Sequence, residues 1–206
     1  MEQFSKQLKQ QSLFVTPLWQ IDLIDTMDVD LFSIKKQIGV LKKLDEEGAA
    51  HTNRGGWQSN AVQDILPYDS FTQLFQMIQG AVNAAEQIME LGTKLKLLNY
   101  WFNVNEYGDY NTLHNHMGSI ISGVFYIDIP KEDDENCGAI EFIRNDSIPY
   151  HLPLKGIPKY TPITGSSITV APAAGRLLLF PSWVNHTVGS NRSQETRISM
   201  SFNYGF

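Results

Sequence analysis

Three histidines and one arginine carry the most specific chemical signal in this sequence. His114 and His116 are separated by one residue. In an extended strand such residues point to the same face, so both imidazoles can reach one metal ion. Taken alone the pair is weak, because two solvated or core histidines would give the same spacing. His186 strengthens it: it stands in PSWVNHTV, a Pro-punctuated turn that leads into a short strand. A third imidazole from a distant strand would complete one face of an octahedral ion and leave the other positions open. Arg197 follows His186 by 11 residues (197 − 186), and the NRSQ turn between them makes the segment read as a hairpin. The strand that starts at Arg197 places Ser199, Ser201 and Asn203 on the same face, with Ile198, Met200 and Phe202 on the other. Polar residues facing inward are costly unless they serve a ligand. A guanidinium grips a carboxylate in a two-pronged geometry that Lys cannot reproduce, and Ser199 can donate to the same group.

Other elements must bring these residues together. Leu13 to Leu23 has strand-like residues and one Pro, which predicts an edge strand. Leu31, Ile34, Ile38, Leu41 and Leu44 recur at helical spacing and predict an amphipathic helix over 28–47, ended by Gly48. TNRGGWQSN, residues 52–60, reads as a loop. Ser70 is a candidate cap for a second helix running to about Leu91, with Gly92 just past its end. From Lys94 the character turns to β. Strands are expected near 95–105, 111–117, 120–129, 138–144, 150–155, 166–171, 175–180, 183–189 and 195–204. Helices first and then strands predict a mainly β chain of α+β type, a β-sandwich or jelly roll with N-terminal helices packed on one sheet. The expected division is a single domain over 1–206, with 1–93 as helical support and 94–206 as the β core.

The ordered combination HxH, SGVFYIDIP, GRLLLFPSWVNHTV and RxS resembles the 2-oxoglutarate and Fe(II)-dependent oxygenase superfamily. It looks most similar to an uncharacterised branch found in bacteria and phages. The similarity extends to LFVTPLW, GGWQSN and NYWFNVNEYGDYNTLHNH. It implies a double-stranded β-helix, cupin-like in form, with His114, His116 and His186 on Fe(II). It implies that Arg197 and Ser199, with Tyr126 beside them, hold the distal carboxylate of 2-oxoglutarate. Asn103 and Asn105 share a strand face and are candidates to line the pocket, as is Ser122, on the same face as Tyr126. The implied reaction consumes 2-oxoglutarate and O2, releases succinate and CO2, and most simply hydroxylates a substrate C–H bond. One departure stands out. The superfamily usually has His-x-Asp or His-x-Glu, and His116 occupies the carboxylate position. Three neutral imidazoles do not offset the 2+ charge of iron, so the dianionic cosubstrate would supply the balance. Imidazole also suits Zn, Cu and Ni. Asp109, close by in sequence, is a candidate ligand or a partner behind one.

The remaining features narrow the function classes. A net charge of −6 and a pI near 5.3 argue against a general nucleic-acid binder. The single cysteine, Cys137, suits a reducing cytoplasm and has no nearby base to activate it. The polar start MEQFSKQLKQQ has no signal-peptide core, and no apolar run is long enough to span a bilayer. These features predict a cytoplasmic protein. The expected partners are a small-molecule cosubstrate and a primary substrate, with no membrane. Monomer and homo-oligomer both fit this composition. His51 and His151 lack a spaced partner and read as structural, and KEDDEN (131–136) reads as a solvated loop. Two rival readings stay open. One is a three-histidine cupin-like dioxygenase that uses no 2-oxoglutarate. The other is a non-enzymatic, metal-binding β-sandwich. Arg197-x-Ser199 after His186 favours the first reading over both.

Overall fold

The computed structural model describes residues 9, 11–25, 29–131, 136–145, 161 and 165–206. Among the described residues, eight strands follow one another from Lys96: β4 (Lys96–Asn105), β5 (Tyr110–His114), β6 (Ile121–Asp128), β7 (Ile140–Ile143), β8 (Ser167–Val170), β9 (Arg176–Pro181), β10 (Asn185–Val188) and β11 (Arg197–Gly205). Before them come β1 (Trp19–Asp22), α1 (Leu31–Leu44), β2 (Asn53–Arg54), β3 (Trp57–Gln58) and α2 (Asp69–Ile88). The strands form two antiparallel sheets, one of six in the order β1-β9-β6-β11-β4-β3 and one of five in the order β2-β5-β10-β7-β8. From β4 to β11 the chain steps from sheet to sheet at every connection except β7 to β8. This is the double-stranded β-helix that the sequence predicts.

Alternation explains how one strand can serve two layers. In β6, Ile121, Phe125 and Ile127 face the helices, whereas Ser122, Val124 and Tyr126 face the opposite sheet; all six are buried. β11 repeats the pattern. Ile198, Met200, Phe202 and Tyr204 join the larger core, packed with Ile34 and Ile38 of α1 and Phe71, Leu74, Phe75 and Ile78 of α2. A smaller cluster of Val124, Tyr126, Ile140, Phe142, Leu178, Phe180 and Val184 fills the space between the sheets. The helices therefore back the six-stranded sheet, and the interior between the sheets is left for the polar residues. At the outer edge, Arg176 holds Asp22 two-pronged, with Nε–Oδ1 at 2.7 Å and Nη2–Oδ2 at 3.1 Å, which fixes β1 to β9.

Several local expectations need correction. The residues predicted as a plain loop, 52–60, contain β2 and β3, and these belong to different sheets. The segment is a strap across the sandwich. Its strands are two residues each, too short to show alternation. The expected hairpin between His186 and Arg197 does not exist either: β10 pairs with β5 and β7, while β11 pairs with β4 and β6. The connection crosses between sheets and is held by Asn191, whose Nδ2 donates to the carbonyls of Asn105 and Glu195 and whose Oδ1 accepts from the Ser193 N–H. Asp30 rather than residue 28 begins α1, its carboxylate accepting from the Ser33 N–H at 2.9 Å. α1 stops at Leu44, before Gly48. Ser70 lies inside α2 and does not cap it; its hydroxyl bonds Gln37 Oε1 of α1 at 2.9 Å. The edge strand is shorter than expected, because only Trp19–Asp22 pairs. The strand predicted over 150–155 and His151 lie outside the described residues.

Close packing between neighbouring strands gives a direct test. Gly123 faces Phe202 across β6 and β11. A Cβ added there would meet Phe202 Cζ at 2.3 Å and the Leu178 carbonyl oxygen at 2.7 Å. A backbone oxygen cannot move aside as a side-chain tip can. Gly123→Ala should therefore cost about 1–3 kcal/mol, typical of overpacking, and lower the melting temperature by several degrees. An unchanged thermal melt would contradict this packing.

Candidate metal and cosubstrate site

The two histidines of the five-stranded sheet meet by register. His114 on β5 lies directly opposite His186 on β10. A register shift just beyond them, between His186 and Val188, sets Asn111 opposite Val188. His116 arrives differently. β5 ends at His114, so His116 lies past the strand end and not within it, as the same-face argument assumed. Its N–H donates to the Ser182 carbonyl at 2.9 Å, which turns the chain back toward the cavity. The three rings nevertheless converge. Centroid separations are 4.3 Å for His114–His186, 5.1 Å for His116–His186 and 5.2 Å for His114–His116. One nitrogen from each lies within 4.8 Å of the others.

The hydrogen bonds decide which nitrogen that is. His114 Nδ1 faces the Thr112 carbonyl at 2.7 Å, His186 Nδ1 faces the Val184 carbonyl at 2.9 Å, and His116 Nδ1 faces Asn203 Oδ1 at 2.8 Å. A carbonyl oxygen only accepts, so each Nδ1 carries the proton and each Nε2 presents a lone pair. The His116 Nε2 is buried without a hydrogen-bond partner among the described residues. Burial lowers all three pKa values, with His114 as a nearby like charge adding to the effect on the other two. His116 is held at about 4 and His186 at about 3. Neutral, aimed imidazoles are what a divalent transition metal requires. These residues fit such an ion.

The second half of the cavity is cationic. Arg197 and Ser199 of β11 point inward and line the same cavity as the three histidines, together with Tyr126, Asn103, Trp101 and Thr52. Arg197 is 3% exposed. Its Nη1 donates to Ser199 Oγ at 3.3 Å and Asn105 Oδ1 at 3.5 Å, both neutral, and no described carboxylate pairs with it. Among the described residues, its Nε and the fully buried Tyr126 hydroxyl have no partner within hydrogen-bonding geometry. The guanidinium sits 5.4 Å from the Tyr126 ring centroid. Burial lowers the Arg197 pKa and raises that of Tyr126, each opposed by the presence of the other. Gly138 closes over the arginine stem. Its φ of +62° suits glycine, and a Cβ there would stand 2.7 Å from Arg197 Cδ. A buried, unpaired cation beside an unpaired phenol is expensive unless an anion completes it.

The other sequence candidates separate clearly. Asn103 lines the cavity. Asn105 lies behind it, bonding Arg197 and, through Nδ2, Asn53 Oδ1 at 2.7 Å. Ser122 is also behind, donating to Asn203 Oδ1 at 2.7 Å. Asp109 is not brought to the histidines; its carboxylate accepts from the Glu106 N–H at 2.7 Å in the turn before β5. Sequence reasoning passed over Trp101, Asn111 and Thr52, which line the cavity. Trp101 was readable, since it shares parity with Asn103 on β4. Thr52 was hidden because its segment reads as a loop.

Residues 99–203 match the family profile described as "Putative 2OG-Fe(II) oxygenase". No curated protein sequence matches the chain. Among solved structures, a prolyl-4-hydroxylase from Pseudomonas putida is similar at a TM-score of 0.63 and 17% identity, with 91% of each chain covered. HygX from Streptomyces hygroscopicus, determined with nickel, 2-oxoglutarate and hygromycin B bound, aligns at 0.60 and 11% identity, covering 92% of this chain and 83% of that one. The epimerase SnoN, in complex with Fe3+, alpha ketoglutarate and nogalamycin RO, aligns at 0.60 and 16% identity, covering 91% and 78%. At such identities these likenesses establish the shared fold, and the profile match over half of the chain establishes descent: the protein belongs to the 2OG-Fe(II) oxygenase family.

Proposed function

We propose that His114, His116 and His186 hold the Fe(II) of this oxygenase and that Arg197 binds the far carboxylate of 2-oxoglutarate. The observation that carries the proposal is one cavity with two complementary ends. One end presents three neutral Nε2 lone pairs, and the other presents a buried guanidinium with no described acidic partner. When bound, the iron supplies activation of O2 coupled to oxidative decarboxylation of 2-oxoglutarate, so that a substrate C–H bond is oxidised.

The chain's own residues supply the rest. Arg197 offers a planar fork to the carboxylate, and Ser199 and Asn105 fix that fork from behind. Tyr126 donates its phenolic proton to the same group. Three histidines contribute no negative charge, so a dianionic cosubstrate is the natural counter-charge for a divalent ion. Trp101 lines the cavity beside His116, with 5.4 Å between ring centroids. We read the whole chain as one domain, with residues 1–93 supporting the β core. No described helix is long and apolar enough to cross a membrane. The acidic composition and single cysteine favour a cytoplasmic protein acting on something other than nucleic acid.

The purified protein should bind about one Fe(II) per chain under anaerobic conditions. His114→Ala and His186→Ala should each lose most of it. His116→Asp, which restores the more common charge arrangement, should keep it, whereas His116→Ala should not. Unchanged iron content in the alanine variants, measured by elemental analysis, would remove the metal assignment.

Arg197→Ala should leave iron binding intact and weaken 2-oxoglutarate binding by roughly 3–5 kcal/mol, the cost of an unpaired buried carboxylate. That is two to three orders of magnitude or more in affinity. Arg197→Lys should recover only part. The readout is anaerobic 2-oxoglutarate affinity, with succinate formation in air. Wild-type affinity in Arg197→Ala would show that another group anchors the far carboxylate.

The lowered histidine pKa values also make the metal-free protein acid-sensitive. Above about pH 6.5, folded and unfolded chains both carry neutral imidazoles, and these groups leave stability unaffected. Below it the unfolded chain takes up protons that the folded chain refuses, until the pH reaches the folded values near 4 and 3. Melting temperature should therefore fall steadily from pH 7 to pH 5, and less steeply in His186→Ala. An equal slope in both proteins would show that His186 is not held neutral by the fold.

A further inference from the structure

His116 differs from the other two histidines in what holds it. The Nδ1 atoms of His114 and His186 face carbonyls two residues earlier in their own chain segments, those of Thr112 and Val184. Such partners come with the backbone and cannot be altered by a side-chain change. His116, beyond the end of β5, has no such carbonyl and reaches across to the opposite sheet. Its partner is Asn203 Oδ1 at 2.8 Å, on β11.

Asn203 is 8% exposed and fully engaged. Its Oδ1 also accepts from Ser122 Oγ at 2.7 Å, and its Nδ2 donates to Asn99 Oδ1 at 2.9 Å. These partners are its direct neighbours in register: Asn99 opposite on β4 and Ser122 opposite on β6. The β4–β11 register shifts immediately after this position, between Asn203 and Tyr204. The amide is thus pinned from both sides, with its oxygen toward the imidazole. An amide turned the other way would point its NH2 at His116 and force the proton onto Nε2, where it would block a metal.

The geometry points to Asn203 as the positioning residue that fixes His116 in its Nδ1–H form, with Ser122 and Asn99 setting the direction of the Asn203 amide. This inference rests on the assignment of His116 as a metal ligand. It gives the histidine that stands in the family's usual carboxylate position a dedicated neutral support. Partners of this kind orient a ligand and raise its basicity, and their loss commonly weakens metal binding by about ten- to a hundred-fold.

The test uses full-length protein with 15N-labelled histidine, metal-free, followed by anaerobic Fe(II) titration. In the parent, the His116 ring signals, assigned by their loss in His116→Gln, should report an Nδ1–H imidazole. An Nε2–H signal in the parent overturns the inference before any variant of Asn203 is made. Asn203→Leu keeps the branched heavy-atom skeleton and removes the acceptor. It should scramble the His116 signal while leaving those of His114 and His186 unchanged, and weaken Fe(II) binding by about ten- to a hundred-fold. Asn203→Asp, which restores an acceptor, should recover both. Should Asn203→Leu fail to fold, the parent spectrum and Asn203→Asp still decide. Wild-type Fe(II) affinity in Asn203→Leu, alongside loss in His114→Ala and His186→Ala, refutes the role of Asn203 alone. Wild-type affinity in those two alanine variants refutes the metal site and this inference with it.

Discussion

The register of β11 between β4 and β6 is the constraint on which the rest of the molecule depends. That strand is hydrogen-bonded along both edges, and its two faces have opposite tasks. One face buries Ile198, Met200, Phe202 and Tyr204 against the helices; the other offers Arg197, Ser199 and Ser201 to the cavity and Asn203 to His116. A slip of one residue would exchange the faces entirely, placing aromatic rings in the site and a guanidinium in the core. The apolar packing of one layer thereby fixes the position of the polar groups in the other. Arg197 near one end of β11 and Asn203 near the other address the two halves of the cavity from a single rigid element.

The interior between the sheets is unusually rich in neutral amides. Asn53, Asn103, Asn105, Asn111, Asn191 and Asn203 are all buried. An amide can accept and donate without carrying charge, so it supports a charged ligand without competing with it. A carboxylate in place of Asn105 would neutralise Arg197 internally and leave it less able to take the anion proposed for it. The same logic applies at the histidines, where backbone carbonyls and one amide orient the rings. The protein supplies direction, and the metal and cosubstrate are left to supply charge.

Much of this was legible in the sequence because period-two alternation is strong in β11 and in the second half of β4, while β6 and β9 read as strands from their apolar runs. The shared face of Arg197 and Ser199 and the common parity of Asn103 and Asn105 follow from alternation, whereas the place of Tyr126 was implied by the family resemblance. What could not be read lies where parity has too little chain to act on. β2 and β3 are two residues long and look like a glycine-rich loop. The link from His186 to Arg197 contains a turn, and a turn specifies a reversal without specifying which sheet receives the next strand. His116 was expected in a strand and lies beyond one, so its convergence with His114 depends on the Ser182 carbonyl rather than on spacing. Asp109, attractive as a carboxylate near the histidines, closes the turn that runs through Gly108 and spends its carboxylate on the Glu106 N–H.

The central place of β11 also has a consequence for how the chain comes to be folded. β4 and β6 are neighbours of β11 and not of each other, so the six-stranded sheet cannot close until residues 197–205 have left the ribosome. Up to that moment a nascent chain carries two strands whose facing edges are open, the kind of edge that recruits other strands. Arg197 and Asn105 are 92 residues apart, and Asn105 and Asn53 a further 52. Contacts at such separations form late and slowly. The candidate site is accordingly assembled late in folding, and a chaperone that shields β4 and β6 during synthesis would be guarding the strands that build it.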